Sequence, residues 1–307
     1  MRGRDLLSIA DLSPGEIRQV VDAALRLKNG GSAPILAGKT LALLFEKPSL
    51  RTRVSFDVAM RQLGGYALYL SPAEVGLGER EPVKDVARVL SRQVDAVAAR
   101  TFKQETVEEL ARWADVPVIN ALSDGEHPCQ ALADLLTIYE KKGRWQGLTL
   151  CFVGDGNNVA RSLMLGSAMV GMTFRIASPP GYGVPQALVD KARHLAAASG
   201  GAIVCTDSPQ EAARGADVLY TDVWASMGQE GEREKRRRDF AGYQVGPELV
   251  ALAAPDAIVM HDLPAHRGEE IADEVIEGPQ SVVFDQAENK LHVLKAVLAF
   301  ILAGEGV

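Results

Sequence analysis

Short apolar runs alternate with helical patterns along almost the whole chain. The runs have the length and composition of buried strands, and apolar residues recur at helical spacing between them. We predict strands at Leu41–Phe45, Tyr66–Leu70, Ala96–Ala99 and Val116–Asn120, and a second series at Leu148–Val153, Thr173–Ala177, Ala202–Cys205, Val218–Thr221 and Ala257–Met260. Strand–helix–strand alternation is typical of parallel sheets covered by helices. The pattern therefore predicts an α/β fold with two domains, each a parallel β-sheet covered by helices.

A polar segment separates the two series of strands. It reads Lys-Lys-Gly-Arg-Trp-Gln-Gly between Lys141 and Gly147. Domain boundaries fall in such polar, glycine-containing stretches, so we place the boundary there. The first domain then covers residues 1–143 and the second begins at residue 144.

Composition narrows the function classes. Of the 307 residues 47% are hydrophobic, which suits a globular protein, and the net charge of −7 argues against a general nucleic-acid binder. The cysteines Cys129, Cys151 and Cys205 are far apart and form no CxxC pair, which favours a reducing compartment and no structural zinc. The N-terminus lacks the apolar core of a signal peptide, and no apolar run has membrane-spanning length. We expect a soluble, cytoplasmic protein.

The strand Leu41–Phe45 ends in a turn rich in hydrogen-bond donors. Ser49, Arg51 and Thr52 follow it and precede a helical pattern, Val54–Leu63. A helix N-terminus offers N–H groups without helical partners and the positive end of the helix dipole, which favours a bound anion. The Arg51 guanidinium adds a bidentate donor. We predict a phosphate-binding turn, which is not a P-loop because the GxxxxGK[ST] glycines and lysine are absent.

A second cluster, His127-Pro128-Cys129-Gln130, opens the helix after the strand Val116–Asn120. His127 and Gln130 are three residues apart, so their side chains share one face of the first turn. An imidazole and an amide suit a polarised carbonyl oxygen with an adjacent NH2 group. An alternative is that His127 only caps the helix. Cys129 is better explained as a small packing residue than as a nucleophile, because no partner base is apparent.

Two further clusters follow strands of the second series. Asp222 and Ser226 come after Val218–Thr221, and His261-Asp262 comes after Ala257–Met260. Ligands gather at the carboxyl ends of strands in open α/β sheets. There Asp222 can hold a cationic amine and Ser226 can hydrogen-bond a polar group. A lone aspartate in such a place is also a common helix N-cap.

The loop Gly154-Asp155-Gly156-Asn157-Asn158 follows the strand Leu148–Val153 and precedes a helix. It resembles a dinucleotide turn only weakly, because no third glycine falls at or near Ala160. We predict instead that Asn158 presents its amide to the carboxylate or amine of an amino acid.

Ion pairs within one helix explain the basic run Lys235–Arg238. Glutamates lie four residues before Arg236 and before Arg238, which allows ion pairs along one helix face. We predict a solvated helix face there.

Taken in order, these clusters closely resemble the ornithine carbamoyltransferase family. The matching segments are Pro48-Ser49-Leu50-Arg51-Thr52-Arg53, Arg100-Thr101-Phe102, His127-Pro128-Cys129-Gln130, Asp222-Val223-Trp224-Ala225-Ser226-Met227-Gly228-Gln229-Glu230 and His261-Asp262-Leu263-Pro264. The resemblance runs over essentially the whole chain, and five motifs in one order are far more specific than any one alone. The Ser-Met-Gly segment resembles the ornithine-using branch of the superfamily and not the aspartate-using branch.

The resemblance implies a fold and a reaction. Residues 1–143 would be the carbamoyl-phosphate-binding domain, 144–285 the ornithine-binding domain, and a C-terminal helix, 286–307, would pack back on the first domain. The reaction transfers the carbamoyl group from carbamoyl phosphate to the δ-amine of L-ornithine, giving L-citrulline and phosphate in arginine metabolism. It needs no metal or organic cofactor, and no nucleic acid or membrane takes part. Family members are homotrimers or multiples of trimers.

The resemblance also assigns site residues. The implied phosphate ligands are Ser49, the backbone of Leu50, Arg51, Thr52 and Arg100. The implied ligands of the carbamoyl group are Arg100, His127, Gln130 and Asp262. Leu263 and Lys290 are further implied ligands of carbamoyl phosphate. The implied ornithine ligands are Asn158, Asp222, Ser226 and the backbone of Met227. Direct catalytic roles fall to Arg51, Arg100, His127, Asp222 and Asp262.

This chain departs from the family pattern at four positions. Leu50 replaces a threonine that can act through its backbone. Gly76 stands where the family usually supplies a glutamine that reaches a neighbouring subunit. Lys290 replaces an arginine, which keeps the charge but loses the bidentate fork. Asp262 replaces a cysteine at a catalytic position.

Two alternatives remain open from the sequence. One is a carbamoyltransferase for another amine, such as putrescine. The other is a binding or regulatory paralogue whose turnover is impaired, which Asp262 and Lys290 keep open.

Overall fold

A computed structural model describes residues 1–30, 33–78, 80–225 and 230–304 of the chain. It divides the chain into two compact units. The first unit consists of Met1–Leu136 and the C-terminal segment from Glu288, and the second is Thr137–Ala287.

The first unit contains a four-stranded parallel sheet. Its strands are β1 (Thr40–Phe45), β2 (Tyr66–Leu70), β3 (Ala96–Arg100) and β4 (Val118–Leu122), in the spatial order β2-β1-β3-β4. Every residue of β3 is buried, as expected for a central strand that is covered on both faces. The edge strand β2 is partly exposed.

The second unit contains a five-stranded parallel sheet. Its strands are β5 (Thr149–Val153), β6 (Thr173–Ala177), β7 (Ala202–Thr206), β8 (Val218–Thr221) and β9 (Ile258–Met260), in the order β7-β6-β5-β8-β9. Two parallel-sheet α/β domains were the fold predicted from the sequence, and this prediction is confirmed.

Helices connect the strands. In chain order they are α1 (Pro14–Asn29), α2 (Leu50–Gln62), α3 (Pro72–Val75), α4 (Val83–Leu90), α5 (Gln104–Trp113), α6 (Pro128–Lys142), α7 (Asn158–Met169), α8 (Gln186–Ser199), α9 (Pro209–Ala213), α10 (Arg233–Asp239), α11 (Pro247–Val250), α12 (Asp273–Ile276) and α13 (Val283–Leu298). The first helix begins at Pro14, where Ser13 and Glu16 form a capping box. None of the described helices is long and apolar enough to cross a membrane.

One strand prediction was displaced by two residues. The predicted strand Val116–Asn120 is β4, which begins at Val118. The Val118 N–H donates to the Asp5 carboxylate at 2.8 Å, and Pro117 has no N–H to donate. The ladder therefore starts after the proline.

Strand order decides which loops can hold a ligand. Phe45 and Arg100 are paired at the ends of β1 and β3, so the loops after these two strands leave one edge of the first sheet together. In the second sheet β5, β8 and β9 occur together in the order β5-β8-β9, and the loops after them carry Asn157, Asp222 and Asp262. These two edges hold the candidate residues.

Candidate active site

The turn after β1 forms the N-terminus of α2. Ser49 is the N-cap, and its hydroxyl accepts the Thr52 N–H at 3.4 Å. The side chain of Leu50 is 75% exposed, so this residue can serve an anion only through its backbone. Arg51 lies in the first turn and is partly exposed, whereas Thr52 is buried. The geometry is that of a helix N-terminus that offers N–H groups to an anion.

A buried group of cations surrounds His127, the residue before α6. Lys290 on α13 places its Nζ 3.1 Å from the Thr52 hydroxyl and 3.3 Å from His127 Nε2. Arg100 and Lys47 are buried as well. We call Lys47, Thr52, Arg100, His127 and Lys290 the first-unit cluster. It brings together residues that are up to 243 positions apart in the chain, from 47 to 290.

The first-unit cluster keeps His127 neutral. Burial, and then the charges of Lys290, Arg100 and Lys47, hold the pKa of His127 well below its usual range. A lysine ammonium only donates hydrogen bonds, so His127 Nε2 is the acceptor and the ring proton lies on Nδ1. The side chain thus makes contacts that a simple helix cap does not, while the His127 backbone carbonyl accepts the N–H of Ala131.

Gln130 is oriented by a partner that sequence reasoning passed over. Its Nε2 donates to the Asp134 carboxylate at 2.9 Å, one turn along α6. Both residues are buried. With the amide nitrogen held in this way, the carbonyl oxygen of Gln130 is the acceptor it can offer to an NH2 group.

Cys129 fits the packing interpretation. It is fully buried, and burial raises the pKa of its thiol to about 12. A thiol with so high a pKa supplies almost no thiolate nucleophile near neutral pH.

Lys47 is a member of the cluster that the sequence did not single out. Its ammonium lies 5.1 Å from the centre of the Phe102 ring, and the Phe102 N–H donates to the Glu46 carboxylate at 2.7 Å. These contacts connect the loop after β1 to the loop after β3. The second loop begins after Arg100, the last residue of β3. The sequence shows a lysine two residues after the end of β1, but the burial of that lysine depends on the loop after β3.

In the second unit, Asp222 lies directly after β8 and is 7% exposed. Its Oδ2 accepts the Asn157 amide at 2.7 Å, and its Oδ1 accepts the N–H of Val223 at 2.7 Å. Asp222 is therefore not the helix N-cap that was the alternative reading. We call Asn157, Asp222, His261 and Asp262 the second-unit cluster.

Asp222 and Asp262 lie close together, with a carboxyl oxygen of each within 4.8 Å of the other. The pKa of Asp222 is raised well above its usual range, first by burial and then by the Asp262 carboxyl.

His261 holds the loop that carries Asp262. The Leu263 N–H donates to His261 Nδ1 at 2.9 Å, and His261 Nε2 lies 3.1 Å from the buried Glu270 carboxylate. Leu263 has a φ of +60°, which is costly for a residue with a branched side chain, and this hydrogen bond helps to hold it there. Glu270 is a further residue that the sequence did not identify.

Two clusters have ligand atoms close enough for a metal ion. They are Asp222, His261 and Asp262, and His266, Glu269 and Glu270, with ligand atoms within 4.8 Å in each. In the first cluster both His261 nitrogens serve protein hydrogen bonds, and in the second Arg233 pairs with Glu269 at 2.7 Å. These bonds favour a hydrogen-bonded site over a metal site in both places.

The prediction of a solvated helix face, on α10, is wrong for one residue. Arg236 is 7% exposed and places its Nη1 2.6 Å from the Asp155 carboxylate and 2.8 Å from the Trp224 carbonyl oxygen. The i,i+4 partner Glu232 is present as expected, at 3.0 Å. Arg236 thus ties the loop after β8 to the loop after β5, and only its neighbours on α10 face solvent.

Asn157 and Asn158 make different contacts at the start of α7, and the ligand role of Asn158 stays a prediction. Asn157 caps α7 and donates to Asp222, whereas the Asn158 side chain accepts the N–H of Val159 at 3.0 Å. Ser226 and Met227 lie outside the described residues. Their proposed roles therefore stay predictions.

Gly76 has a local reason to be glycine. It ends α3 with a φ of +55°, and an added Cβ would lie 2.8 Å from the Arg80 Cβ. A glutamine would be strained in this conformation. This position contributes no side chain in this protein.

Comparisons with known protein families cover both units. The model of the aspartate/ornithine carbamoyltransferase carbamoyl-P binding domain matches residues 4–140, and that of the Asp/Orn binding domain matches residues 146–301. The ornithine carbamoyltransferase of Acidothermus cellulolyticus is 55% identical over 305 residues, which covers 99% of this chain and 98% of that protein. The ornithine carbamoyltransferase of Pyrococcus abyssi is 52% identical over 308 residues, which covers 99% and 97%.

Solved structures give the same result. The ornithine carbamoyltransferase from Pyrococcus furiosus matches with a TM-score of 0.96 at 52% identity, covering 99% of this chain and 98% of that chain. The anabolic ornithine carbamoyltransferase from Campylobacter jejuni matches with a TM-score of 0.93 at 40% identity, covering 97% and 98%. The likeness extends over essentially the full length of each protein.

Proposed function

The chain belongs to the aspartate/ornithine carbamoyltransferase family, and on that premise we propose that it transfers the carbamoyl group of carbamoyl phosphate to the δ-amine of L-ornithine. The products are L-citrulline, an intermediate of arginine metabolism, and phosphate. The matched domains, the carbamoyl-P binding domain and the Asp/Orn binding domain, support the two substrates.

One observation carries the choice of ornithine over aspartate. The second-unit cluster contains two neighbouring carboxyl groups, that of the buried Asp222 and that of Asp262, whose side chain is 13% exposed. Buried carboxyls favour a cationic ligand and repel an anionic one. Ornithine carries an additional ammonium group on its side chain, whereas aspartate carries an additional carboxylate.

The first-unit cluster supplies the groups that carbamoyl phosphate requires. The N-terminus of α2, with Ser49, Arg51 and Thr52, binds the phosphate through N–H groups, a guanidinium and hydroxyls. Arg100 and Lys290 place positive charge at the carbamoyl oxygen, next to the neutral His127. Gln130 accepts a hydrogen bond from the carbamoyl NH2 group.

The reaction places new negative charge where these cations lie. The neutral δ-amine attacks the carbamoyl carbon, a C–N bond forms, and charge builds on the carbonyl oxygen. The C–O bond to phosphate then breaks, and the proton that the amine nitrogen loses leaves with the departing phosphate. Donors that are fixed in advance around that oxygen stabilise the transition state more than the ground state. Because its pKa is depressed, His127 acts as a hydrogen-bond partner and not as an acid.

A homotrimer, or a multiple of trimers, is the assembly that the family resemblance supports. Part of the surface of the first unit suits such contacts. The exposed apolar side chains of α2 and of edge strand β2 are Leu50 (75%), Val54 (49%), Tyr66 (64%) and Leu68 (42%). Exposed apolar groups of this kind are common at subunit interfaces.

We place the enzyme in the cytoplasm. Its three cysteines, Cys129, Cys151 and Cys205, are unpaired, which suits a reducing compartment.

Citrulline formation by the purified protein tests the proposal. The assay supplies carbamoyl phosphate with ornithine, aspartate or putrescine in parallel. We expect turnover with ornithine and little with aspartate. Faster turnover with putrescine would reassign the amine, and citrulline production no faster than without protein would overturn the proposed activity.

A further inference from the structure

Asp222 and Asp262 form a buried acid pair that differs from the aspartate–cysteine arrangement implied by the family pattern. Asp222 is 7% exposed, and the Asp262 side chain is 13% exposed. A carboxyl oxygen of Asp222 and one of Asp262 lie within 4.8 Å of each other. Two carboxylates this close repel each other when both are ionised, which favours one proton on the pair.

The surroundings of the pair favour this shared proton. The groups that face Asp222 are the neutral Asn157 amide and the Val223 N–H, on the loops after β5 and β8. On the loop after β9 they are Asp262, which raises the pKa of Asp222, and His261, which lowers it. Glu270 lies on the far side of the His261 ring, 3.1 Å from Nε2. Among the described residues no lysine or arginine forms an ion pair with Asp222.

We propose that the Asp222–Asp262 pair holds one proton in the free protein and exchanges that proton for an ammonium group of ornithine. This inference rests on the proposed function. The exchange is balanced, because the protonated pair and the ornithine cation give an ammonium bound by two carboxylates and one proton released to solvent. Ornithine and the proton therefore compete for the same two carboxyl groups.

This competition gives the protein a pH-dependent affinity for its amino-acid substrate. Below the pKa of the pair the shared proton must leave before the cation binds, so the KM for ornithine rises about tenfold for each unit of pH decrease. Above that pKa both carboxyls of the pair are already ionised, so the KM for ornithine no longer changes with pH through this proton. A cysteine at position 262 would leave a single carboxylate and no proton shared between two carboxyls.

Calorimetry measures the proton directly. Ornithine is titrated into the protein saturated with carbamoylmethylphosphonate, in which a methylene replaces the bridging oxygen so that no phosphate can leave. The titration is repeated at one pH in two buffers of different ionisation enthalpy. Below the pKa of the pair, we expect the binding heats in the two buffers to differ. The difference, divided by the difference in buffer ionisation enthalpy, should correspond to about one proton released per site. Equal heats after correction for dilution, at every pH tested between 5 and 8, would overturn the inference without any variant.

Variants at position 262 locate the proton. Asp262→Asn supplies an amide donor to Asp222, which then ionises without a competing carboxyl, and Asp262→Cys removes the second carboxyl. We expect proton release and the pH slope of the ornithine KM to fall sharply in both, whatever happens to kcat. Asp207→Asn changes an exposed aspartate of the same unit and is the matched control. Full proton release in both position-262 variants would assign the proton elsewhere and overturn the pair.

The two proposals fail in different ways. An enzyme that makes citrulline but releases no proton on binding ornithine keeps the proposed function and loses this inference. A protein that makes no citrulline loses the function itself.

Discussion

At the scale of single residues, Lys290 illustrates how one buried charge serves several neighbours. It donates to Thr52 and to His127, and its charge helps to depress the pKa of the histidine. A lysine offers a point charge with three donors, whereas the arginine of the resembled family offers a planar fork. The positive charge that we propose for binding carbamoyl phosphate is therefore retained at position 290, but without the planar fork.

We expect Lys290→Met to lower kcat by about a hundredfold or more, the usual effect of removing one preorganised donor from a developing oxyanion. Steady-state kinetics with both substrates measures this loss. Lys290→Arg keeps the charge and should retain far more activity.

Lys295→Met is the matched control, because Lys295 lies on the same helix, is 2% exposed and donates to the Leu27 carbonyl oxygen. It should reduce stability with little change in kcat. Equal losses of kcat in the two methionine variants would contradict a specific role for Lys290.

Asp222 lowers the stability of the folded protein at neutral pH because of its position in the site. Its pKa is raised in the folded protein by burial and by Asp262, so the folded chain still holds a proton at pH values where the unfolded chain has released it. Stability from this group is therefore present below the ordinary aspartate pKa of about 4 and is lost as pH rises towards the raised value.

Asp222→Asn should consequently raise the melting temperature at neutral pH, by about 2–4 °C, while ornithine turnover is lost. Calorimetric scans between pH 4 and 8 measure the difference from the unsubstituted protein, which should widen as pH rises. A difference that stays constant, or that matches Asp207→Asn at an exposed position, would argue against the raised pKa as its source.

At the scale of elements, α10 is tied to two ligand-bearing loops by one side chain. Arg236 bonds to Asp155, two residues before Asn157, and to Trp224, two residues after Asp222. The loops that carry the second-unit cluster are thus fixed relative to each other by a residue that itself lies in a helix. Arg236 is a positioning residue for the ornithine side.

We expect Arg236→Ala to raise the KM for ornithine about tenfold or more, since hydrogen bonds to charged groups contribute roughly 1.5–3 kcal/mol. The KM for carbamoyl phosphate should change little. Arg238→Ala removes an exposed arginine from the same helix and should leave both constants unchanged. Initial rates, measured with each substrate varied in turn, give the two KM values. Equal increases in both would indicate general destabilisation instead of a specific effect on ornithine binding.

At the scale of the whole molecule, edge strand β2 and helix α2 present apolar side chains to solvent in the single chain. Tyr66 and Leu68 on β2 and Val54 on α2 are each more than 40% exposed. Their burial against further copies of the chain is the contact that the proposed trimer would use.

Val54→Asp and Leu68→Lys should each shift the protein from trimers towards single chains in analytical ultracentrifugation, because a charge that is buried at an interface has no compensating partner. Val204→Lys is the control, since Val204 is 38% exposed on edge strand β7 of the second sheet. A single-chain mass for the unsubstituted protein at micromolar concentration would refute the trimer itself.

The local pattern of the sequence was enough for the elements and for several site positions. Apolar runs of strand length predicted all nine strands of the described residues. For central strands such as β3 the reason is that burial on both sheet faces requires a continuous apolar segment. Residues at strand ends before helices were identifiable for a similar reason: Ser49, His127 and Asp222 lie where backbone donors and loops meet at one edge of a sheet. The resemblance to a family then supplied roles that spacing alone left open.

What depended on tertiary structure was the identity of each partner. Arg236 reaches Asp155 across 81 positions, and Lys290 reaches His127 across 163 and Thr52 across 238. No local pattern records such pairs, so an arginine in a basic run was taken for a solvated residue. The sequence determined which groups were available at the sheet edges. Burial and long-range contacts decided which of them carry a charge, share a proton or stay neutral, because pKa values depend on desolvation and on neighbours that only the folded chain brings together.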